Sequence, residues 1–316
     1  MSHVDWLSRL LQMITVTGRP EVRCAYGAPW RVAWAQCAAA EIPYHVVLKG
    51  RAIIEDHGAG TTMELEAGDI VLLPHGSAHV LHDGSGQTPG PTREREGASG
   101  LIYSENDANG EALDMLCGRF FIGPPHDRLV RNYLPINLVV RAMDEVPGSS
   151  PTRSRLAHFV ELMRDERSCE DVGAYAMLNA LSCALFTLVL REASKSDRAP
   201  TGLLALAGHP RLAPAISAML TEPARPWTLP DLAALCSMSR ATFMRHFQET
   251  LGRSAIDFLT DVRMGLAANE LKKPAISTEA VAESVGYQSV SSFRRLFAER
   301  IGMTPGHWRR LARASQ

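Results

Sequence analysis

Two similar stretches near the C-terminus, fifty residues apart, restrict the fold of this chain more than any other feature. ATFMRHFQETLGRSAIDFL (241–259) and SSFRRLFAERIGMTPGHWR (291–309) align without gaps. Two phenylalanines, an arginine, a glycine, a hydroxyl residue and a further aromatic residue fall at matching positions. Solenoid folds need about three or more repeats to bury a continuous core, and we find only two. The sequence therefore predicts a duplicated module.

Each copy has the pattern of a helix-turn-helix unit, in which a short capped helix is followed by a turn and an amphipathic helix. The units are predicted at about 228–250 and 277–300, joined by one long helix at 254–273. In each second helix two phenylalanines are spaced i, i+4 and should face the core. The opposite face is predicted to contact DNA through Ala241, Thr242, Met244, Arg245, Ser291, Arg294 and Arg295. Arg245 and Arg295 are expected at base edges, since arginine pairs bidentately with guanine.

The charge of the chain is divided between its two ends. Residues 201–316 carry 14 lysines and arginines against 9 aspartates and glutamates, a net charge of +5, whereas residues 1–200 have a net charge of −6. A basic end favours binding to a polyanion such as double-stranded DNA. The net charge of the whole chain, −1, argues against a non-specific binder whose affinity comes from phosphate contacts alone.

The N-terminal part has the two-residue periodicity of β-strands. Short aliphatic runs between residues 44 and 81 are separated by glycine-containing turns, as in a β-meander or barrel. Gly68, Pro74, Gly76 and His79 have a spacing that resembles the second conserved motif of cupin barrels. A Gly- and Pro-rich segment at 83–100 is expected to be a mobile loop.

The stretch AVAESVGYQSVSSFRRLFAERIGMTPGHWRR (280–310) resembles the AraC family of bacterial transcription regulators. The resemblance covers about 209–311 and implies two helix-turn-helix units that read double-stranded DNA and act on RNA polymerase, as in activators. A cupin domain ahead of this module is the family's sensor arrangement. We therefore expect an α+β, two-domain protein with a sensor domain at 1–198 and a DNA-binding domain at 209–316.

Within the sensor domain, the barrel is expected to extend to about residue 145, and a helical dimerisation segment is expected at about 150–195. The apolar run at 174–193 contains Asn179 and ends in charged residues, so a core or dimer helix is favoured over a membrane span. A homodimer is therefore expected. The N-terminus lacks a secretory signal, and a cytoplasmic location is expected.

Two of the six cysteines suggest a further resemblance. Cys24 precedes the first predicted strands and Cys117 lies in a Cys-Gly pair, as in the reactive-chlorine-responsive members of the AraC family. The resemblance implies an oxidation switch, in which Cys24, activated by Arg23 at an accessible loop position, is the sensing thiol and Cys117 the buried partner. The alternative is a small-molecule effector or no direct sensing, with both cysteines as buried strand residues.

An enzyme with a DNA-binding tail is the alternative from another functional class. Metal-dependent cupins usually use a His-x-His pair, whereas this chain has only His45, followed by Val47 two positions later. His45, His75 and His79 could meet at a barrel mouth, and imidazole suits several transition metals. No metal or cofactor is predicted, because the pair is missing and no P-loop or dinucleotide motif is found.

Overall fold

The computed structural model describes residues 5–97, 100–141, 151–168, 172–195 and 202–314. The chain forms two compact units. One consists of Val16–Gly123 and Leu134–Arg198, and the other of Met1–Thr15, Pro124–Tyr133 and Ala199–Gln316. We call them the sensor unit and the DNA-binding unit. The predicted end of the sensor domain at residue 198 and the predicted end of the barrel near residue 145 lie outside the described residues.

The described strands are β1 (Val16–Gly27), β2 (Arg31–Trp34), β3 (Glu41–Lys49), β4 (Arg51–Asp56), β5 (Thr61–Glu66), β6 (Asp69–Leu72), β7 (His79–His82), β8 (Thr92–Glu96), β9 (Ile102–Asn106), β10 (Ala112–Ile122) and β11 (Leu138–Arg141). The described helices are α1 (Trp6–Met13), α2 (His126–Tyr133), α3 (Pro151–Ser168), α4 (Ala174–Ala193), α5 (Leu203–Gly208), α6 (Ala213–Thr221), α7 (Leu229–Leu235), α8 (Arg240–Leu251), α9 (Ala255–Glu270), α10 (Thr278–Ser284), α11 (Val290–Ile301) and α12 (Pro305–Ala314).

The sensor unit contains two β-sheets. Seven strands follow the order β11-β6-β3-β10-β1-β9-β8, and four follow the order β2-β7-β4-β5. The cupin-like β domain is confirmed, but the sheets are not closed into a barrel, since no ladder joins them in the described part of the chain. Edge strand β8, with the sequence TRERE, is exposed at every position, and such a charged edge discourages further pairing. Part of the segment 83–100, which the sequence predicts to be a mobile loop, therefore forms strand β8.

The core of the sensor unit lies between the sheets. Cys24, Val47 and Met115 of the seven-stranded sheet belong to the same buried cluster as Ile54 and Leu81 of the four-stranded sheet. One face of the central strand β3 points into this core, and its other face is covered by a helix. The strand is therefore buried along almost its whole length. This double burial explains why its sequence, EIPYHVVLK, does not alternate cleanly between apolar and polar residues.

Helix α4 packs on the outer face of the seven-stranded sheet. Tyr44 of β3 hydrogen-bonds Ser182 at 2.9 Å, and the rings of Phe120 and Phe186 lie 5.0 Å apart. The helix approaches β1 closely, since a Cβ on Gly18 would lie 2.5 Å from the Ser182 Cβ. In the described residues α4 is the one helix long and apolar enough to cross a membrane, but its buried residues pack against the sheet and α3.

The DNA-binding unit is helical, and its two helix-turn-helix units are confirmed as α7–α8 and α10–α11. Helix α9 joins them and ends at Glu270, before the predicted residue 273. Trp308 of α12 donates a hydrogen bond of 2.9 Å to the carbonyl of Ala268, which fastens the last helix to α9.

Two helices from the N-terminal region also belong to the DNA-binding unit. Asn269 of α9 donates from Nδ2 to the carbonyl of Met13 at the end of α1, at 2.7 Å. Its Oδ1 accepts a 3.0 Å hydrogen bond from His126 Nε2 at the start of α2. At the other end of α2, the Tyr133 hydroxyl donates to Asp261 of α9. One face of α9 is therefore covered by segments far away in sequence.

Candidate nucleic-acid interface and cysteine–histidine cluster

The two second helices, α8 and α11, have nearly identical ends. Ser239 caps α8 by accepting from the Thr242 N–H at 3.2 Å, and Ser289 caps α11 by accepting from the Ser292 N–H at 3.3 Å. Gly252 and Gly302 end these helices in the left-handed conformation, with φ of 77° and 84°. The fifty-residue repeat thus contains the residues that begin and end each second helix as well as its buried residues.

The two turns differ in length. Helices α7 and α10 begin 49 residues apart, whereas α8 and α11 begin 50 apart, so the second turn has one extra residue. In the first turn Ser237 has a φ of 51°, and in the second Gly286 has a φ of 86°. A side chain on Gly286 would also collide with the carbonyl oxygen of Ala224. Glycine is required in the second turn for both reasons.

The predicted contact residues lie on the exposed face of α8 and α11. Phe243, Phe247, Phe293 and Phe297 are fully buried, as the spacing predicted. Exposed residues opposite them are Ala241, Met244, Arg245, Ser291, Arg294 and Arg295. Thr242 is half-buried, and its hydroxyl hydrogen-bonds Ser239 at 2.9 Å, so it supports the cap of α8. Contact of these residues with DNA stays a prediction.

The arginines on these helices have different surroundings. Arg294 pairs with Glu279 of α10 at 3.0 Å, which ties the two helices of the second unit together. Arg295 approaches Glu299 on its own helix at 3.9 Å, an exposed and weak pair. Among the described residues Arg245 has no ion-pair partner. Arg245 and Arg295 are therefore freer than Arg294 to reach a ligand.

The second candidate site is a buried cluster in the sensor unit. Cys24 of β1 and Cys117 of β10 lie on neighbouring antiparallel strands, with their Sγ atoms 3.9 Å apart. Cys24 is 1% exposed and Cys117 is 3% exposed. The expected loop position of Cys24 is wrong, since Cys24 lies within a strand. Arg23 points to the opposite face, where it pairs with Asp114 at 3.2 Å, and does not activate the thiol.

His45 and His79 extend the cluster from Cys117 to the other sheet. His45 lies opposite Cys117 in the ladder between β3 and β10, and its Nδ1 is 3.0 Å from Cys117 Sγ. His45 Nε2 is 2.8 Å from Nε2 of His79, which begins β7. Trp34 of β2 covers both imidazoles, with ring centroids 4.9 and 5.3 Å from theirs. We call Cys24, Cys117, His45 and His79 the cysteine–histidine cluster.

Burial changes the proton affinities of this cluster. The pKa of His45 is lowered well below its ordinary value by burial and by nearby His79. Burial also lowers the pKa of His79, against the opposing effects of Ser77 and Asp56. Burial raises the pKa of Cys117. A hydrogen bond from Cys117 lowers the pKa of Cys24, provided that the Cys117 proton points to Cys24.

The cluster does not have the geometry of a metal site. The two ring nitrogens of His45 face different partners, so the four side chains form a chain and not a shell around one point. Predicted third ligand His75 points elsewhere, with Nε2 3.2 Å from the carbonyl oxygen of Leu134. In the part of the chain that the structure describes, no three His, Cys, Asp or Glu side chains could hold one ion. These residues therefore do not fit a cupin metal.

A cavity of about 590 Å³ reaches one end of the cluster. Its wall includes Cys117, His45 and Trp34, whereas Cys24 is not part of it. The charged residues that line it are Arg19, Glu21, Glu41 and Arg119. Arg119 pairs with both glutamates at 2.7 Å. The cavity thus carries balanced charge, and the buried thiol of Cys117 forms part of its wall.

The link between His45 and Cys117 was not predicted from the sequence. The sequence suggests His45 only as a metal ligand and Cys117 only as a partner of Cys24. The available signal was the resemblance of the segment around His79 to the second cupin motif, which places that residue near the first-motif position of His45. No comparable signal connects either histidine to Cys117, which is 72 residues beyond His45.

Comparisons with known proteins agree with this architecture. Residues 5–195, more than half of the chain, match the family described as Cupin, and residues 232–311 match the family described as Helix-turn-helix domain. The RCS-specific HTH-type transcriptional activator RclR of Escherichia coli K12 is 28% identical over 98% of this chain and 99% of its own. The HTH-type transcriptional regulator MtrA of Neisseria gonorrhoeae is 28% identical over 97% of this chain and 98% of its own.

Among solved structures, ToxT from Vibrio cholerae O395 aligns over 94% of this chain and 97% of its own, with 12% identity and a TM-score of 0.36. The relatives that align over the full length are named as transcriptional regulators, which is a non-enzymatic role. The chain therefore belongs to the cupin family and is a transcription regulator of the AraC type, with a cupin sensor domain ahead of a double helix-turn-helix domain.

Proposed function

We propose that oxidation of Cys24 and Cys117 to a disulfide controls operator binding by this regulator. The observation that carries the proposal is the 3.9 Å separation of the two sulfurs in a buried core. A disulfide needs a sulfur–sulfur distance of about 2.05 Å, so the two sulfurs must come closer by roughly 2 Å for the bond to form. The relative from Escherichia coli is named as RCS-specific, which supports a reactive chlorine oxidant as the signal.

Bond formation would disturb two central strands of the seven-stranded sheet. β1 and β10 form the longest ladder of the seven-stranded sheet, and β10 continues through residues 123–125 into α2. Helix α2 packs against α9, which joins the two helix-turn-helix units. A displacement of β10 thus has a covalent route to the elements that position α8 and α11.

A small organic effector in the cavity of about 590 Å³ is the second candidate signal. The cavity has the size of ordinary ligand sites and combines a Trp34 wall with charged groups at Arg19 and Glu41. Such an effector would act without any change in the cysteines. The two candidates therefore differ in their dependence on Cys24 and Cys117.

The partners are double-stranded DNA, a second copy of the chain and RNA polymerase, and the protein acts as an activator in the cytoplasm. The second copy is supported by an exposed alanine stripe on α4, formed by Ala176, Ala180 and Ala184 with Met177 beside it. Residues four apart lie on one face of a helix, and small side chains allow close helix packing.

The experiment measures operator binding of the full-length protein before and after treatment with one equivalent of hypochlorous acid. Operator fragments come from genomic footprinting with this protein. Oxidation should change the dissociation constant at least about tenfold, a coupling free energy of about 1.4 kcal/mol. Cys24→Ser and Cys117→Ser should abolish the change.

Cys183→Ser is the matched control, because Cys183 is a half-buried thiol of the same unit that contacts the backbone of Gly18. It should respond as the wild type does. An unchanged response in both Cys24→Ser and Cys117→Ser would contradict the proposal and favour an effector in the cavity.

A further inference from the structure

The directions of the hydrogen bonds in the cysteine–histidine cluster follow from one fixed acceptor. His79 Nδ1 lies 2.8 Å from the carbonyl oxygen of Ser77, which can only accept, so Nδ1 carries the proton. Neutral His79 then accepts at Nε2, and its partner, His45 Nε2, must donate. Neutral His45 consequently has a bare Nδ1, which accepts a proton from Cys117.

The Cys117 thiol has two neighbours to which its single proton could point. His45 Nδ1 is 3.0 Å from the sulfur, and Cys24 Sγ is 3.9 Å from it. Nitrogen is the stronger acceptor and is also nearer, and His45 Nδ1 would otherwise be a buried acceptor without a donor. The Cys117 proton therefore points to His45, and the hydrogen bond that would favour a Cys24 thiolate is not the dominant arrangement.

We propose that Cys117 is the thiol attacked first by the oxidant, that His45 accepts its proton, and that Cys24 is the second thiol that closes the disulfide. The inference rests on the proposed function and reverses the order of the two cysteines that the sequence suggested. His79 is a positioning residue, because it fixes the tautomer of His45 and touches neither sulfur.

Access supports this order. Cys117 and His45 both line the cavity and Cys24 does not, although both cysteines belong to the same buried core cluster. An oxidant inside the cavity would therefore meet Cys117 and not Cys24. The charge-balanced wall admits a neutral oxidant such as hypochlorous acid.

The His45–His79 pair can also carry the positive charge that the proton from Cys117 brings. When His45 gains a proton at Nδ1, it can pass its Nε2 proton to His79, which becomes an imidazolium. That imidazolium still donates to Ser77, and the buried carboxylate of Asp56 lies opposite it in the ladder between β4 and β7. Burial lowers the pKa of both rings, and only at His79 do Asp56 and Ser77 oppose part of this effect.

The reaction balances for hypochlorous acid, a two-electron oxidant. The Cys117 sulfur attacks chlorine while its proton passes to His45; the chlorine–oxygen bond breaks and hydroxide leaves. The Cys24 sulfur then attacks the sulfur of the sulfenyl chloride, the sulfur–sulfur bond forms and chloride leaves with the bonding pair. Of the two thiol protons, one converts hydroxide to water and the other is released. Two thiols are oxidised and one chlorine is reduced to chloride.

The order of attack is tested by trapping in the full-length protein. In Cys24→Ser, hydrolysis of the sulfenyl chloride should leave a sulfenic acid at Cys117, which dimedone labels and peptide mass spectrometry locates. In Cys117→Ser, the same substoichiometric dose should leave Cys24 unlabelled. Both variants also carry Cys37→Ser, because Cys37 lines the same cavity. Labelling of Cys24 and not of Cys117 would overturn the proposed order.

The role of His45 is tested by competition. N-acetylmethionine competes with the protein for hypochlorous acid. The concentration of N-acetylmethionine that halves formation of the Cys24–Cys117 disulfide measures how fast the protein reacts relative to the competitor. His45→Asn keeps an acceptor near the position of Nδ1 but cannot take up a proton, so this concentration should fall about 100-fold, in the lower range of general-base contributions. His79→Gln, which cannot become charged, should lower it in the same direction.

His75→Asn is the matched control, because His75 contacts Leu134 and no member of the cluster. It should leave the competitor concentration unchanged. The rate is also measured from pH 5.5 to 9. Only His45→Asn and His79→Gln should lose the pH dependence seen in the wild type, because the other titratable groups that face the two histidines and Cys117 are unchanged in every one of these variants. Those groups are Cys24, Glu21, Asp56 and His57. Equal rates in folded His45→Asn and wild type would overturn the role of His45. Failure of the wild type to form the disulfide would instead overturn the proposed function.

Discussion

Neighbouring residues on α11 have distinct surroundings, and these surroundings determine which side chain is free to contact a ligand. Arg294 is held by Glu279, so its guanidinium already stabilises the second helix-turn-helix unit. Arg295 has only a weak exposed partner on its own helix, and Arg245 occupies the matching place on α8. Each of the two helices thus carries one arginine whose side chain is not held by a strong ion pair.

We predict that Arg295→Ala weakens operator binding by about 1–3 kcal/mol and relaxes specificity at one or two base pairs, because a bidentate contact with guanine is lost. Arg310→Ala, at an exposed position of α12, should weaken all sequences alike and reduce the salt dependence. Binding titrations with single-base operator variants at two salt concentrations distinguish these effects. Equal weakening of every sequence by both substitutions would contradict the assignment of Arg295.

At the residue scale, the sequence allowed the apolar side of the DNA-binding helices to be predicted but not the arrangement around Cys117. Phe243 and Phe293 belong to a local period that a helix must satisfy. His45 and Cys117 become neighbours only through the register of β3 against β10, and no local pattern specifies that register. The sequence also does not specify which face of β1 carries the Arg23 side chain, because it does not specify where β1 begins and ends.

At the scale of elements, the two turns show how one module tolerates a change in length. The longer second turn needs Gly286 because its backbone adopts a positive φ close to the carbonyl of Ala224. The shorter first turn accepts Ser237 at the corresponding place. The helices that follow both turns nevertheless begin with the same serine cap. The caps and helix lengths were predictable from local signals, whereas the packing of α1 and α2 against α9 was not, since those contacts span the chain.

We predict that Gly286→Ala lowers the free energy of unfolding of the DNA-binding unit by about 2 kcal/mol or more, because the left-handed conformation and the collision with Ala224 both oppose a Cβ. Ser237→Gly is the matched change at the first turn. It relieves a positive φ at Ser237 and should be neutral or stabilising. Urea unfolding followed by circular dichroism provides the comparison. A cost for Ser237→Gly as large as that for Gly286→Ala would argue against this account.

At the scale of the whole molecule, the exposed alanine stripe of α4 is the surface that we propose for self-association. Ala176, Ala180 and Ala184 leave a flat apolar strip beside Met177, which is 48% exposed. The buried residues of α4 pack against the seven-stranded sheet and α3, and the described residues leave the strip exposed for a second copy.

We predict that the protein sediments as a dimer at micromolar concentration and that Ala180→Glu converts it to a monomer, because a buried unpaired carboxylate is costly. Ala39→Glu introduces the same charge at another exposed alanine of the sensor unit and should leave the dimer intact. Analytical ultracentrifugation of the three proteins tests this prediction. A monomeric wild type would show that the stripe is not an interface.

The placement of α1 and α2 has a consequence for how such regulators can diversify. The DNA-binding unit draws on three separate stretches of the chain, Met1–Thr15, Pro124–Tyr133 and Ala199–Gln316. A single recombination event between two genes would exchange only the last stretch and leave Asn269 facing foreign partners in place of Met13 and His126. New operator preferences should therefore arise more readily by point substitution on α8 and α11 than by the shuffling of whole domains.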